Sequence, residues 1–350
     1  MAKGKARGGA EGAAKRDEEL RRTMERLEEG VRGVFESARY RRYLAVMSRF
    51  HGYSANNCLL IAMQCPDATL VAGYRAWQDK FGRQVRKGER GMRILSPVVV
   101  KAKEEGDDVG EARDDGAGDG PRRRLAGFRL ATVFDVSQTE GRELPTLGVE
   151  ELTGGVARYE AAMRAVSEIS RYPISFEDVP GGAKGFFLRS EPKRIVIQKG
   201  MSQAQTLKTA IHELAHSVMH DSEPKGEGPA LPGRATCEVQ AESVAFVVSS
   251  WLGLDTGDYS FGYVAGWSEG KDLSELRASL DEIRGAAHDI IGGMERKMAE
   301  NREAEGLERV RAFEHEPDAA CRSLSERAAI ARRASPRDDR APRLPDRSER

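Results

Sequence analysis

The sequence predicts an α+β protein of two domains, spanning residues 16–145 and 146–300. Three observations carry that prediction. Stretches with the 3.6-residue period of amphipathic helices alternate with short β-branched runs bounded by Gly, Pro, Ser and Asn, so both element types occur in each half. Two of those runs, Met92–Ala102 and Phe128–Val136, flank an acidic, glycine-rich segment. Beyond residue 146 a helix, three short strand segments and three more helices follow in order, two of those helices carrying His and Glu at spacings that suit a metal ion.

The elements follow from local pattern. Met1–Lys15 is rich in Lys, Arg, Gly and Ala without an apolar segment after it, which predicts a disordered basic arm and not a secretion signal. Arg16–Val46 places Leu20, Met24, Leu27, Val31 and Val34 at helical spacing. Ser54–Gln64 reads as a second helix with Ser54 as its N-cap, and Tyr74–Phe81 as a shorter third. Met92–Ala102 reads as a strand interrupted at Pro97. Glu104–Gly120 holds eight acidic residues against one Arg, with five glycines and no aromatic, and predicts a disordered insertion before the strand Phe128–Val136. Ser137–Gly141 closes the first domain, and Glu143–Gly154 links onward.

The second domain opens on a helix over Val156–Arg171, followed by strands at Ile174–Val179, Gly185–Arg189 and Arg194–Lys199 that are expected to form a small antiparallel sheet. The motif helix covers Thr206–Asp221, a Pro/Gly-rich loop Glu223–Gly233, and helices Ala235–Leu252 and Leu273–Met298 complete the domain. Residues 301–350 carry twelve Lys/Arg and eleven Asp/Glu and predict a charged tail, disordered or only partly helical.

Composition excludes more than it assigns. A formal net charge of zero names no partner. The four cysteines, Cys58, Cys65, Cys237 and Cys321, form no C-x-x-C pair, which argues against both a disulfide framework and a cysteine zinc knot. No apolar run approaches the ~18 residues of a membrane span, and a cytoplasmic protein with no membrane partner is expected.

His212-Glu213-Leu214-Ala215-His216 is the most informative stretch. Positions i and i+4 of a helix share a face, so the two imidazoles can hold one metal ion, with Glu213 beside them as general base for a water on that metal. A catalytic zinc takes three protein ligands. The third is expected from Glu238, with Glu242 one turn on orienting a ligand, or from the two in exchanged roles, because both face one way on a helix that continues through the apolar run Val244–Val248 to Trp251 and Leu252. One Zn2+ is expected, with Mn2+ or Co2+ able to occupy similar sites. His220 continues the motif face as a capping or ligand-orienting residue, and Tyr263 and His288 are candidates for stabilising a developing oxyanion. Position 222 is Ser where a metzincin would place its third His.

Arg75–Ile94 holds seven Lys/Arg against two acids, interleaved with aromatics. Cations suit phosphates and flat rings suit unstacked bases, so Tyr74, Arg75, Trp77, Arg83, Arg86, Lys87 and Arg90 are candidate contacts to single-stranded DNA. Asn56, Asn57 and Gln64 are polar positions on an otherwise apolar helix and are either base contacts or buried hydrogen-bonders.

The run Ala210–His220, followed by Glu238-x-x-Ala241-Glu242, resembles the ImmA/IrrE-like zinc metallopeptidases, whose fold is zincin-like; many members carry a Glu where this chain has Gln240. The ordered series Ser54-Ala55-Asn56-Asn57-Cys58-Leu59-Leu60-Ile61, Val71-Ala72-Gly73-Tyr74-Arg75-Ala76-Trp77, Val85-Arg86-Lys87-Gly88-Glu89-Arg90-Gly91 and Val133–Gly141 resembles the N-terminal single-stranded-DNA-binding domain of ArdC-type antirestriction proteins. Together the two resemblances cover roughly residues 41–298. They imply a protein that coats single-stranded DNA, shields incoming DNA from restriction, and carries a zinc-peptidase domain acting on a DNA-associated or restriction-related protein. A second reading keeps the DNA-binding and makes the metal structural or vestigial. A third, a transcription regulator whose peptidase domain cuts a repressor, requires duplex binding, and the sequence shows no helix-turn-helix signal.

Overall fold

The computed structural model describes residues 3–101, 123–144, 155–221, 232–257, 259 and 261–315. The acidic insertion, most of the linker to the second domain, the Pro/Gly-rich loop and the tail beyond residue 315 lie outside the described residues. Residues 1–297 cluster into one compact unit and 298–350 into a second.

Helix α1 (Lys3–Val34) starts well before Arg16, so the expected basic arm continues the helix from Lys3, in keeping with its Ala, Lys and Arg content. The single helix expected over Arg16–Val46 breaks at residues 35 and 36, and α2 (Ser37–Arg49) resumes at an angle that buries Phe35 against Tyr40. Gly30 and Gly33, poor helix formers, lie just before the break. Helix α3 (Ala55–Gln64) begins at the Ser54 N-cap, whose side chain accepts from the Asn57 amide. Strands β1 (Val71–Gly73) and β2 (Arg83–Val85) enclose helix α4 (Tyr74–Asp79). Each strand has three residues, too short for an alternation to be read from the sequence.

Strands β3 (Met92–Lys101) and β4 (Arg123–Asp135) form an antiparallel ribbon, and β1 joins β4 to give the sheet order β1-β4-β3. Pro97 does not interrupt β3. The strand lies at the sheet edge, where a missing N–H costs no ladder bond. Two side-chain amides of α3 cover that edge. Asn57 donates to the Leu95 carbonyl (2.9 Å) and accepts from its N–H (2.8 Å), while Gln64 donates to the Arg93 carbonyl and accepts from its N–H, each at 2.9 Å. The Arg93–Leu95 part of the edge is thereby closed to other strands.

β5 (Thr139–Gly141) pairs with β2. The Asp135 carboxylate caps the turn before it, accepting from the N–H groups of Thr69, Leu70 and Ser137.

Helix α5 (Gly155–Ile169) leads into a three-stranded sheet of order β6-β8-β7: β6 (Ile174–Glu177), β7 (Gly185–Leu188) and β8 (Arg194–Gln198). β7 is antiparallel to β8, as expected, but β6 runs parallel to it, because the chain crosses to the far edge for β7 before returning to the middle. Helices α6 (Gln203–Met219), α7 (Arg234–Trp251), α8 (Val264–Ser268) and α9 (Leu273–His315) follow. α9 continues past Met298, where the sequence predicted its end, because the Glu-, Arg- and Ala-rich residues beyond it are themselves good helix formers.

The two predicted domains share one core within the compact unit. α2 packs on α7, the Tyr40 hydroxyl meets Ser243 Oγ at 2.7 Å, and Phe35, Tyr40, Phe246, Tyr259, Phe261 and Trp267 form a connected aromatic cluster. Aromatic pairs of this kind add about 0.5–1.5 kcal/mol each beyond area burial. Ser37 donates to the Phe261 carbonyl and Arg41 to the carbonyls of Gly257 and Tyr259.

Burial pushes the Asp135 carboxyl up, but its hydrogen bonds from Ser137, Thr69 and Leu70 outweigh that and hold it below its ordinary range. A lowered folded-state pKa stabilises the fold above the unfolded value, and the contribution is lost as pH falls through the folded value. Asp135→Asn is expected to cost about 2 kcal/mol in urea denaturation at pH 7, because hydrogen bonds to a charged acceptor are replaced by weaker ones. The gap between variant and native protein should narrow below the ordinary Asp range, and a gap independent of pH would contradict this role.

Candidate metal centre and nucleic-acid face

Helix α6 presents His212 and His216 one turn apart, and α7 crosses it so that Glu238 faces both. Nε2 of His212 and Nε2 of His216 lie 3.1 Å apart, and Oε2 of Glu238 lies 3.7 Å from the first and 3.6 Å from the second. These three donor atoms all lie within 4.8 Å of one another. Ligands at about 2.1 Å around a tetrahedral ion are about 3.4 Å apart, so the three edges suit a single ion of that kind. Two imidazoles with one carboxylate is also a donor set that zinc accepts. Glu242, one turn along α7, stands behind His212, with Oε2 3.3 Å from Nδ1, and so faces the ring nitrogen away from the cluster.

The carboxylates are not buried with their helix. The Glu238 side chain is 48% exposed and that of Glu242 29%, against 10% for His216, so the cluster opens to solvent on the α7 side. The bond to His216 holds the Glu238 carboxyl low. Burial pulls His212 down, but Glu242, Glu213 and Glu238 outweigh it and leave it raised.

Glu213 is buried, and desolvation raises its carboxyl above the ordinary range although the nearby histidines oppose that. It lines a cavity of about 320 Å3 with Lys184, Lys208, Thr209, His212, Glu242 and other residues. Gly185 lets β7 approach this wall. A Cβ there would lie 2.8 Å from Thr209 Cγ2 and from the Val196 carbonyl, and 3.4 Å from Glu213 Cγ.

His220 is buried at the C-terminal end of α6 behind His216, with its Nδ1 3.2 Å from His216 Nδ1 and its Nε2 2.9 Å from Gln240 Oε1. Tyr263 is 46% exposed, and burial together with the Glu242 and Glu238 charges raises its hydroxyl. His288 is not at the cluster; its ring packs on His51, with the two Nδ1 atoms 3.5 Å apart, because α9 turns that residue toward the first domain. Sequence reasoning did not find Lys184 or Tyr259, which line the cavity, or Glu282, whose carboxylate accepts from Gln240. Only Gln240, as a departure from a family pattern, carried any signal.

Several of the predicted DNA contacts serve the fold. Trp77 is fully buried and donates to the Phe134 carbonyl at 3.0 Å, so it offers no face to a base. Asn57 and Gln64 are committed to β3, and Arg83 binds Thr139 and the Arg142 carbonyl. Exposed are Tyr74, Arg75, Arg86 (paired with Glu89), Lys87 and Arg90, while Asn56 is half-buried. The distal β3–β4 ribbon adds exposed Val99, Leu125 and Phe128, which the strand pattern alone did not single out.

Residues 16–134 match the N-terminal domain of anti-restriction factor ArdC, and residues 172–257 match the IrrE N-terminal-like domain of the M78 peptidases. The chain therefore combines a domain of the ArdC N-terminal type with a metallopeptidase-like domain. The pairing of these two domain types is what the chain shares with ArdC-type antirestriction proteins. It is 25% identical over 288 residues to an uncharacterized protein of Bacillus anthracis, covering 73% of this chain but 47% of that one, so it spans about half the length of that relative. Crystal structures of the antirestriction ArdC protein from plasmid R388, metal-free and Mn(II)-bound, are similar at 18% identity with TM-scores of 0.43 and 0.41. The similarity covers 71% of this chain, and 86% and 85% of theirs. Among the described residues no helix is long and apolar enough to cross a membrane.

Metal analysis of purified protein separates the two glutamates. Glu238→Ala is expected to abolish stoichiometric binding, and Glu242→Ala to keep the ion with about 10–100-fold weaker affinity. The opposite order would make Glu242 the ligand.

Proposed function

We propose that this chain is a single-stranded-DNA-binding antirestriction protein whose C-terminal domain hydrolyses peptide bonds in DNA-associated proteins, with Zn2+ held by His212, His216 and Glu238. The observation that carries the reading is the meeting of that donor set with a buried carboxylate, Glu213, at one wall of an adjoining cavity. A bound divalent cation would activate a water and polarise a carbonyl.

The remaining steps belong to the chain. Glu213, its proton affinity raised by burial, accepts the proton from the attacking water at its carboxylate and returns it to the leaving amine. Glu242 faces Nδ1 of His212 and steadies that ring. Tyr263, whose hydroxyl is raised in part by both α7 carboxylates, is the sequence candidate that remains to stabilise negative charge on the substrate oxygen. In the first domain, exposed Tyr74 offers a stacking face, and Arg75, Lys87 and Arg90 offer cations to the backbone of a single strand.

Glu213→Gln is expected to keep its metal and to slow peptide hydrolysis roughly 10²–10⁴-fold, measured on the proteins bound to single-stranded DNA. Undiminished cleavage by this variant would refute the enzymatic part. In gel shifts the native protein should prefer single strands to duplex. Replacing Lys87 and Arg90 with Ala should flatten the fall of log affinity with log salt, by about 0.7 in slope for each phosphate no longer neutralised. A preference for duplex would overturn the DNA assignment.

A further inference from the structure

The face of His216 turned away from the donor cluster is joined to α9 through hydrogen bonds that the proposed chemistry does not use. His216 Nδ1 lies 3.2 Å from His220 Nδ1, and His220 Nε2 lies 2.9 Å from Gln240 Oε1. Gln240 Nε2 in turn reaches the Glu282 carboxylate and, at 3.4 Å, Ser279 Oγ. His220 and Gln240 are 1% and 2% exposed, so water does not compete for the bond between them, while Glu282 at the far end is exposed.

The direction of the whole series is set at its far end. An ionised carboxylate only accepts hydrogen bonds. Gln240 must therefore point its NH2 group at Glu282 and its carbonyl oxygen at His220. His220 then carries its proton on Nε2 and presents Nδ1 as a bare acceptor. His216 in turn carries its proton on Nδ1 and directs the Nε2 lone pair at the site shared with His212 and Glu238. The reverse direction would set the Gln240 carbonyl against a carboxylate and place a proton on His216 Nε2, where a cation needs a lone pair.

We infer that Glu282, acting through Gln240 and His220, fixes the tautomer of His216 and thereby sets the affinity of the centre for its cation. Glu282, Gln240 and His220 are positioning residues, and the inference rests on the proposed metal site. A glutamine cannot impose a direction by itself, since its two ends exchange by a flip. The acceptor-only group is needed one residue further out, on a helix that contributes nothing else to the cluster.

The test is Zn2+ affinity of chelator-stripped full-length protein, measured by competition with a chromophoric chelator, together with the visible spectrum of the Co2+ form. His220→Phe is expected to weaken binding about 10–100-fold, and Glu282→Gln about 10-fold, with an altered Co2+ spectrum. Adding Gln240→Glu to Glu282→Gln moves the acceptor-only group one link inward and should restore affinity to within a few-fold of native. That rescue separates a directional role from a packing role, and thermal unfolding of the metal-free forms checks that each variant folds. Native-like affinity in both Glu282→Gln and His220→Phe, or no recovery in the double variant, would overturn the inference. Native protein that binds no Zn2+ would overturn the proposed metal site as well.

Discussion

Everything at the candidate centre depends on the packing of α6 against α7. Removing a carboxylate or an imidazolium from water costs several kcal/mol unless another group compensates. Two helices that bring such groups together must therefore gain elsewhere. They do so through small and branched apolar residues, with Ala210, Ile211, Leu214 and Ala215 on one helix and Ala241, Val244, Ala245 and Val248 on the other all buried. The alanines permit close approach, and the approach is what brings Glu238 Oε2 within 3.7 Å of both imidazoles. The Glu238 and Glu242 carboxylates keep a side open to solvent, which lowers the cost of placing charge there.

The same helix α7 is where the first domain attaches. Tyr40 from α2 bonds Ser243, the residue after Glu242, and Ser37 and Arg41 hold carbonyls of the segment that carries Tyr259 and leads to Tyr263. The face expected to meet DNA and the face expected to meet a peptide are thus parts of one folded unit. In the proposed function this arrangement would bring a strand-bound protein and the cutting site into fixed proximity without any tether between them.

The sequence made the motif helix legible because His-x-x-x-His has only one meaning on a helix: two side chains on one face. It also pointed to the α7 glutamates, but a spacing of four residues places Glu238 and Glu242 on the same face, and only the crossing of the helices puts one in front of the imidazoles and the other behind. The break between α1 and α2 was not legible, since Phe35 continues the helical period and turns only to reach the aromatic cluster. Trp77, Asn57 and Gln64 looked like ligand contacts because composition cannot tell a side chain bonded to its own fold from one free to bond a ligand. Their partners, the carbonyl of Phe134 and the edge of β3, come from strands more than 25 residues away in the chain. Glu282 carried no local signal at all, being one acid among many on a long charged helix.

The central claim is that His212, His216 and Glu238 together hold one ion. X-ray absorption at the zinc edge of the loaded protein tests it most directly. The loaded protein is expected to show a shell of nitrogen and oxygen at about 2.0–2.2 Å, with the outer-shell scattering of two imidazoles. A sulfur neighbour at about 2.3 Å, or a shell without imidazole scattering, would contradict it.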